Sequence, residues 1–65
     1  MYFDLFKSDA TKQWHWRLMA DNNKSIAISG EGYNNKQDAI HGIKLVKDNA
    51  ATLKIYDHET QTWLP

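Results

Sequence analysis

Trp14-His15-Trp16-Arg17-Leu18 alternates large apolar side chains with polar ones. A strand repeats every two residues, so this order puts Trp14, Trp16 and Leu18 on one face and His15 and Arg17 on the other. Extended to 13–20, the strand adds Ala20 to the tryptophan face, and Gln13 and Met19 to the opposite one. A half-buried strand of this kind needs partners, and both flanks offer one.

Upstream, Tyr2 to Lys7 is rich in aromatic and branched residues, with Phe3 and Leu5 on one face and Tyr2, Asp4 and Phe6 on the other. Ser8 to Lys12 is a polar connector of hairpin length. Downstream, Asp21-Asn22-Asn23-Lys24 reads as a turn, because Asp and Asn tolerate left-handed backbone and bond their own main chain. Ser25 to Ser29 follows as a third strand, completing a meander. Gly30-Glu31-Gly32 breaks the ladder, the two glycines freeing the backbone to turn.

Asn35 is then an N-cap, with Asp38 placed for the positive end of a helix dipole. A helical pattern runs from Ala39 to Ala50, and Ala39, Ile43, Val46 and Ala50 form its apolar stripe. Gly42 beside that stripe costs about 1 kcal/mol against Ala. Either close approach of helix to sheet compensates it, or it is an indifferent surface glycine. Thr52-Leu53-Lys54-Ile55-Tyr56 is β-branched and alternating again, a fourth strand; Asp57 to Thr60 turns, and Gln61 to Pro65 either extends the edge or frays. The reading is an α+β fold of β-β-β-α-β order with the helix packed on an antiparallel meander, and it leaves open which sheet face the helix covers.

Sixty-five residues make a single domain, 1–65. So short a chain buries only about 60% of its unfolded surface and usually needs a staple or a partner. There are no cysteines, and His15, His41 and His58 lack metal-ligand spacing, so no cofactor or metal is expected. With three Trp, three Tyr and two Phe, apolar surface remains for self-association. Eight basic residues balance eight acidic ones, which argues against nucleic acid or an anionic membrane as partner. No apolar run reaches the roughly 18 residues of a membrane span, and Met1-Tyr2-Phe3-Asp4 does not open a signal peptide, so a soluble cytoplasmic protein is expected.

The residues at these positions resemble the YegP-like family of small bacterial domains of unknown function. The resemblance rests on Tyr2-Phe3-x-Leu5-Phe6-Lys7, Trp14-x-Trp16-Arg17-Leu18-x-Ala20, Ile26-Ala27, Gly32-Tyr33, Lys36, Gly42-Ile43 and Val46-Lys47, in order over about residues 2–50. It implies that two β3-α-β units combine into one sheet and exchange C-terminal strands, so that a single-copy chain is a homodimer. The strand at 51–57 is then the exchanged one and 58–65 a tail. Leu53, Ile55 and Tyr56 become the expected swap contacts, and the short Ala50-Ala51 link favours exchange over folding back. Two departures stand out: the family commonly has Gly in the first hairpin where this chain has Ala10-Thr11-Lys12-Gln13, so a different turn is expected, and position 15, usually basic or aromatic, is His.

No spacing points to catalysis. Asp57-His58-Glu59 joins two acids and an imidazole, but consecutive side chains diverge, so a solvated turn is the reading. The serines lack a nucleophile elbow, and Gly30-Glu31-Gly32 lacks the Lys of a phosphate loop. Lys36, Lys44 and Lys47, mixed with Asp38 and Asp48, read as a solvated helix face. One functional candidate remains, the sheet face of Tyr2, Phe6, His15, Arg17 and Met19, whose aromatics and cation suit stacking on a ligand. Set against it is mutual packing of the same side chains. The expectation is a non-catalytic dimeric binding or structural module, with weak single-stranded nucleic-acid binding as the alternative.

Overall fold

A computed structural model of the chain describes residues 1–64. The meander forms as the alternation predicts. β1 (Tyr2–Lys7) pairs antiparallel with β2 (Trp14–Met19), and β2 with β3 (Ser25–Ile28), in the order β1-β2-β3. The register sets Phe3 opposite Leu18 and Leu5 opposite Trp16, whereas Tyr2, Asp4 and Phe6 face Met19, Arg17 and His15. Directly opposed residues share a face, so the two faces are those the sequence parity assigns. A bulge between Leu18 and Met19 shortens the pairing with β3.

The first turn shows what the missing glycine does. Ser8 N–H donates to Gln13 O at 2.9 Å and Lys12 N–H to Ser8 O at 2.8 Å, and Lys12 sits at φ 61°. A left-handed backbone costs a non-glycine residue about 1–2 kcal/mol, partly offset in the substitution by glycine's greater unfolded-state entropy. Lys12→Gly is therefore expected to stabilise the chain by about 0.5–1 kcal/mol, raising the thermal midpoint by several degrees. A lower midpoint in a melting experiment would show that the turn carries no such strain.

The loop after β3 works differently from the sequence expectation. No glycine in the chain has positive φ, so neither Gly30 nor Gly32 is there for backbone freedom. Gly32 instead lies against Gln13, where a β-carbon would come within 2.9 Å of Gln13 Cβ. This contact lets Tyr33 return to β2, exchanging backbone hydrogen bonds of 2.7 and 2.8 Å with Trp14.

α1 (Lys36–Asn49) starts at its predicted cap: Asn35 Oδ1 accepts from Asp38 N–H at 2.9 Å, and Asn35 Nδ2 donates to Asp38 Oδ2 at 3.0 Å. The helix packs on β1 and β2. It covers the tryptophan face, because Gly42 stands over Tyr33 and Trp16. Ala39 is fully buried, and Ile43 and Val46 are half-buried as the stripe requires, but Ala50, at the C-cap, is exposed. Phe3 meets Trp16 edge-on at 5.5 Å beneath the helix.

Beyond the helix the structure revises the sequence reading. Thr52 caps the helix end, its N–H and hydroxyl both donating to Asn49 O at 3.0 and 3.1 Å, so it is unavailable to a strand. The fourth strand is β4 (Ile55–Asp57), not 52–56, and it pairs with β5 (Thr62–Leu64) in a separate two-stranded hairpin. The expected tail 58–65 is thus a turn and a return strand as far as Leu64, and Pro65 lies outside the described residues. Among the described residues this hairpin packs on no other element. The radius of gyration, 14.0 Å, exceeds the roughly 11 Å of a compact chain of this length, as a detached hairpin requires.

Candidate functional site

Three surfaces stand out among the described residues: the open face of the sheet, a groove at its β1 edge, and the hairpin. On the open face, β1 and β2 bring Tyr2, Phe6, His15, Arg17 and Met19 together as the alternation implies. Phe6 and His15 stack at 5.7 Å, 21° from parallel, and the Arg17 guanidinium lies 4.5 Å from the Phe6 ring centre. Asp4 completes the set, its Oδ2 accepting from Arg17 Nη2 at 2.9 Å and Nε at 3.1 Å. The sequence places Asp4 on this face but not opposite Arg17; that needs the register. Its consequence is electrostatic, since the cation of the cluster already has a carboxylate.

Trp14 has two ammonium groups near its ring centre, Lys7 at 5.9 Å and Lys36 at 5.6 Å, so Lys36 is not merely a solvated charge.

The groove lies between β1 and α1. Its volume is about 590 Å³ and it is lined by Met1, Tyr2, Phe3, Leu5, Leu18, Ile43 and Lys47. β1 has β2 on one side only, so its other backbone edge is free beside the groove. Met1 is held nearby through its amino group, which bonds Asp21.

The hairpin carries apolar side chains on both faces. Ile55 opposes Leu64 and Asp57 opposes Thr62 on one; Tyr56 opposes Trp63 on the other. Tyr56 meets Trp63 and His58 edge-on, both at 5.0 Å. Leu53 is 63% exposed, Ile55 58% and Trp63 65%. The expected swap contacts Leu53, Ile55 and Tyr56 are thus uncovered within their own chain. Asp57 Oδ1 accepts from Glu59 N–H at 2.9 Å, which makes Asp57-His58-Glu59 a turn, with His58 on Tyr56 rather than between the two acids. Among the described residues no group of three His, Cys, Asp or Glu side chains converges, and no helix is long and apolar enough to cross a membrane.

Fold and surfaces define a small α+β domain: a three-stranded meander backed by one helix, followed by a hairpin. The chain belongs to the YegP-like family; residues 9–57 match the family model described as a domain of unknown function, DUF1508. It is 42% identical over 55 residues to UPF0339 protein NMB1088 of Neisseria meningitidis serogroup B, covering 85% of this chain and 95% of that protein. The same figures hold for UPF0339 protein NMA1193/NMA1859 of Neisseria meningitidis serogroup A. A solution structure of a protein from Haloferax volcanii superposes with a TM-score of 0.76 at 41% identity, covering 86% of this chain and 92% of that one. The family model stops at the end of β4, so β5 lies beyond the matched span.

Proposed function

We propose that the chain is a non-catalytic module that works as a homodimer, two copies exchanging their C-terminal segments. The observation that carries this is the hairpin, which carries apolar side chains on both faces and, among the described residues, packs on no other element. An isolated two-stranded hairpin is marginal in water, and a strand apolar on both faces is one that other layers cover. The β1 edge and its groove are a matching uncovered surface. Size-exclusion with light scattering on the full chain is expected to give twice the 7.6 kDa protomer mass at micromolar concentration. A 7.6 kDa species at every concentration would rule the dimer out.

The alternative, single-stranded nucleic acid stacked on Tyr2, Phe6, His15 and Arg17, is favoured by the exposed aromatic cluster and opposed by Asp4, which neutralises Arg17. Polarisation titration of the same sample with labelled RNA and DNA at two salt concentrations separates the readings, because only the nucleic-acid binder gives salt-dependent binding.

A further inference from the structure

We propose that Trp14, Lys7 and Lys36 form an anion site that takes a phosphate group, free or carried on a small organic molecule. The site lies within one protomer, so it stands or falls separately from the dimer.

Three elements converge there. Lys7 is opposite Trp14 in the β1–β2 register, and Tyr33 bridges Trp14 from the other side, so all three share the face that α1 covers. α1 begins at Lys36. Its first turn brings a second ammonium group to the same ring, 5.6 Å from the centre, with that of Lys7 at 5.9 Å. Trp14 is half-buried and both lysines are exposed, so the cluster is open to solvent.

Among the described residues these two charges go unbalanced: no carboxylate lies within 4.0 Å of either ammonium group. Asp38, the acid of the same helical turn, is held by Asn35, whose amide donates to its Oδ2 at 3.0 Å. Position also works against Lys36, since the positive end of a helix favours an acid over a cation. The ring attracts each cation through its quadrupole but carries no net charge, so the two ammonium groups still repel each other. A local rule broken with no structural compensation is the mark of a functional position. The zero net charge of the whole chain hides this local excess.

The chemistry of the cluster selects the ligand. An ammonium group is a point charge with three donors and no acceptor. A planar carboxylate suits the fork of an arginine, and the chain's one arginine, Arg17, is already given to Asp4. A phosphate has oxygens that point in several directions, so one group can accept from ammonium groups approaching from β1 and from α1. The Trp14 ring holds both lysines in place beforehand, which lowers the entropy lost on binding.

The test is titration of the full chain, at constant ionic strength, with inorganic phosphate and with a nucleoside monophosphate. The indole N–H resonances report binding in two-dimensional NMR, and Trp16 and Trp63 serve as internal references. The Trp14 resonance is expected to shift and saturate with a Kd of about 1 mM or tighter, while the other two move little. Lys7→Ala and Lys36→Ala are each expected to weaken binding about fivefold, and Lys24→Ala, in the turn after β2, by less than about twofold. Equal affinity for the two ligands would assign the site to the phosphate group itself, and tighter binding of the nucleotide to a phosphate with a ring stacked beside it. A Trp14 resonance that never saturates, a shift that all three indoles share, or one indifferent to Lys7→Ala and Lys36→Ala would overturn the site. So would a loss on Lys24→Ala as large as that on Lys7→Ala, because net charge alone would then explain the binding.

Discussion

A chain ending at Leu53 is expected to lose its dimer and most of its stability. The design keeps Thr52, whose two hydrogen bonds to Asn49 O hold the end of α1, so the helix terminus is unchanged. What is removed is β4, β5 and their turn, which among the described residues pack on no other element. If the protomer were self-sufficient, the deletion would cost almost nothing. If the hairpin is docked on a second copy, the deletion exposes the Phe3, Leu5, Leu18 and Ile43 groove and forfeits the burial of Ile55 and Leu64, about 3–6 kcal/mol together. A 65-residue domain commands about 3–10 kcal/mol in all. Folding of the truncated chain should therefore be lost or nearly lost. The wild type should show a thermal midpoint that rises with protein concentration, as mass action demands of a coupled folding and association. Circular dichroism melts of both chains at 5 and 500 μM, as on the order of a hundredfold range, are the measurement. A truncated monomer that melts like the wild type would dispose of strand exchange.

Those elements whose order is written locally were legible in the sequence. The parity of Trp14 to Leu18 assigned both sheet faces, since a one-residue slip would invert them all and no slip preserves the apolar set. Asn35 and Asp38 marked the helix start because a cap is a contact three residues long. Contacts without a period were not legible. Tyr33 pairs with Trp14 as a single bridge after two glycines, and one residue has no alternation to read. Thr52 looked like the start of a strand because a β-branched residue suits one, yet its hydroxyl found the Asn49 carbonyl first. The return strand β5 is not legible because Gln61 makes the turn at φ 55°, a conformation its side chain does not announce. The site residues Tyr2, Phe6, His15, Arg17 and Met19 were placed on their face by parity, but the pairing of Asp4 with Arg17 belongs to the register. The family resemblance supplied the exchange hypothesis; what supports it is the uncovered hairpin, which composition alone could suggest only as surplus apolar surface.

Gly42→Ala should destabilise the chain although alanine is the better helix former. In an exposed helix interior the change gains about 1 kcal/mol. Here the added β-carbon would stand 2.6 Å from Tyr33 Oη, 3.3 Å from Tyr33 Cζ and 3.3 Å from Trp16 Nε1. The Tyr33 backbone is bonded twice to Trp14, so its ring can yield only by turning about its own side-chain bonds. Overpacking of this kind costs about 1–3 kcal/mol, more than the propensity returns, and Gly42→Leu should reach or exceed the upper end. Which atom is responsible can be separated from mere intolerance of the site. In a Tyr33→Phe background the hydroxyl is gone and the closest approach relaxes from 2.6 to 3.3 Å, set by Trp16 and the ring carbon. Gly42→Ala in that background should cost less than in the wild type, the two changes coupling by about 1 kcal/mol or more in a double-mutant cycle from urea denaturation. Additive effects would mean that the helix does not rest on the Tyr33 hydroxyl. A stabilising Gly42→Ala in the wild type would mean that the helix stands away from the tryptophan face altogether, and that Gly42 is the surface glycine its sequence context also permits.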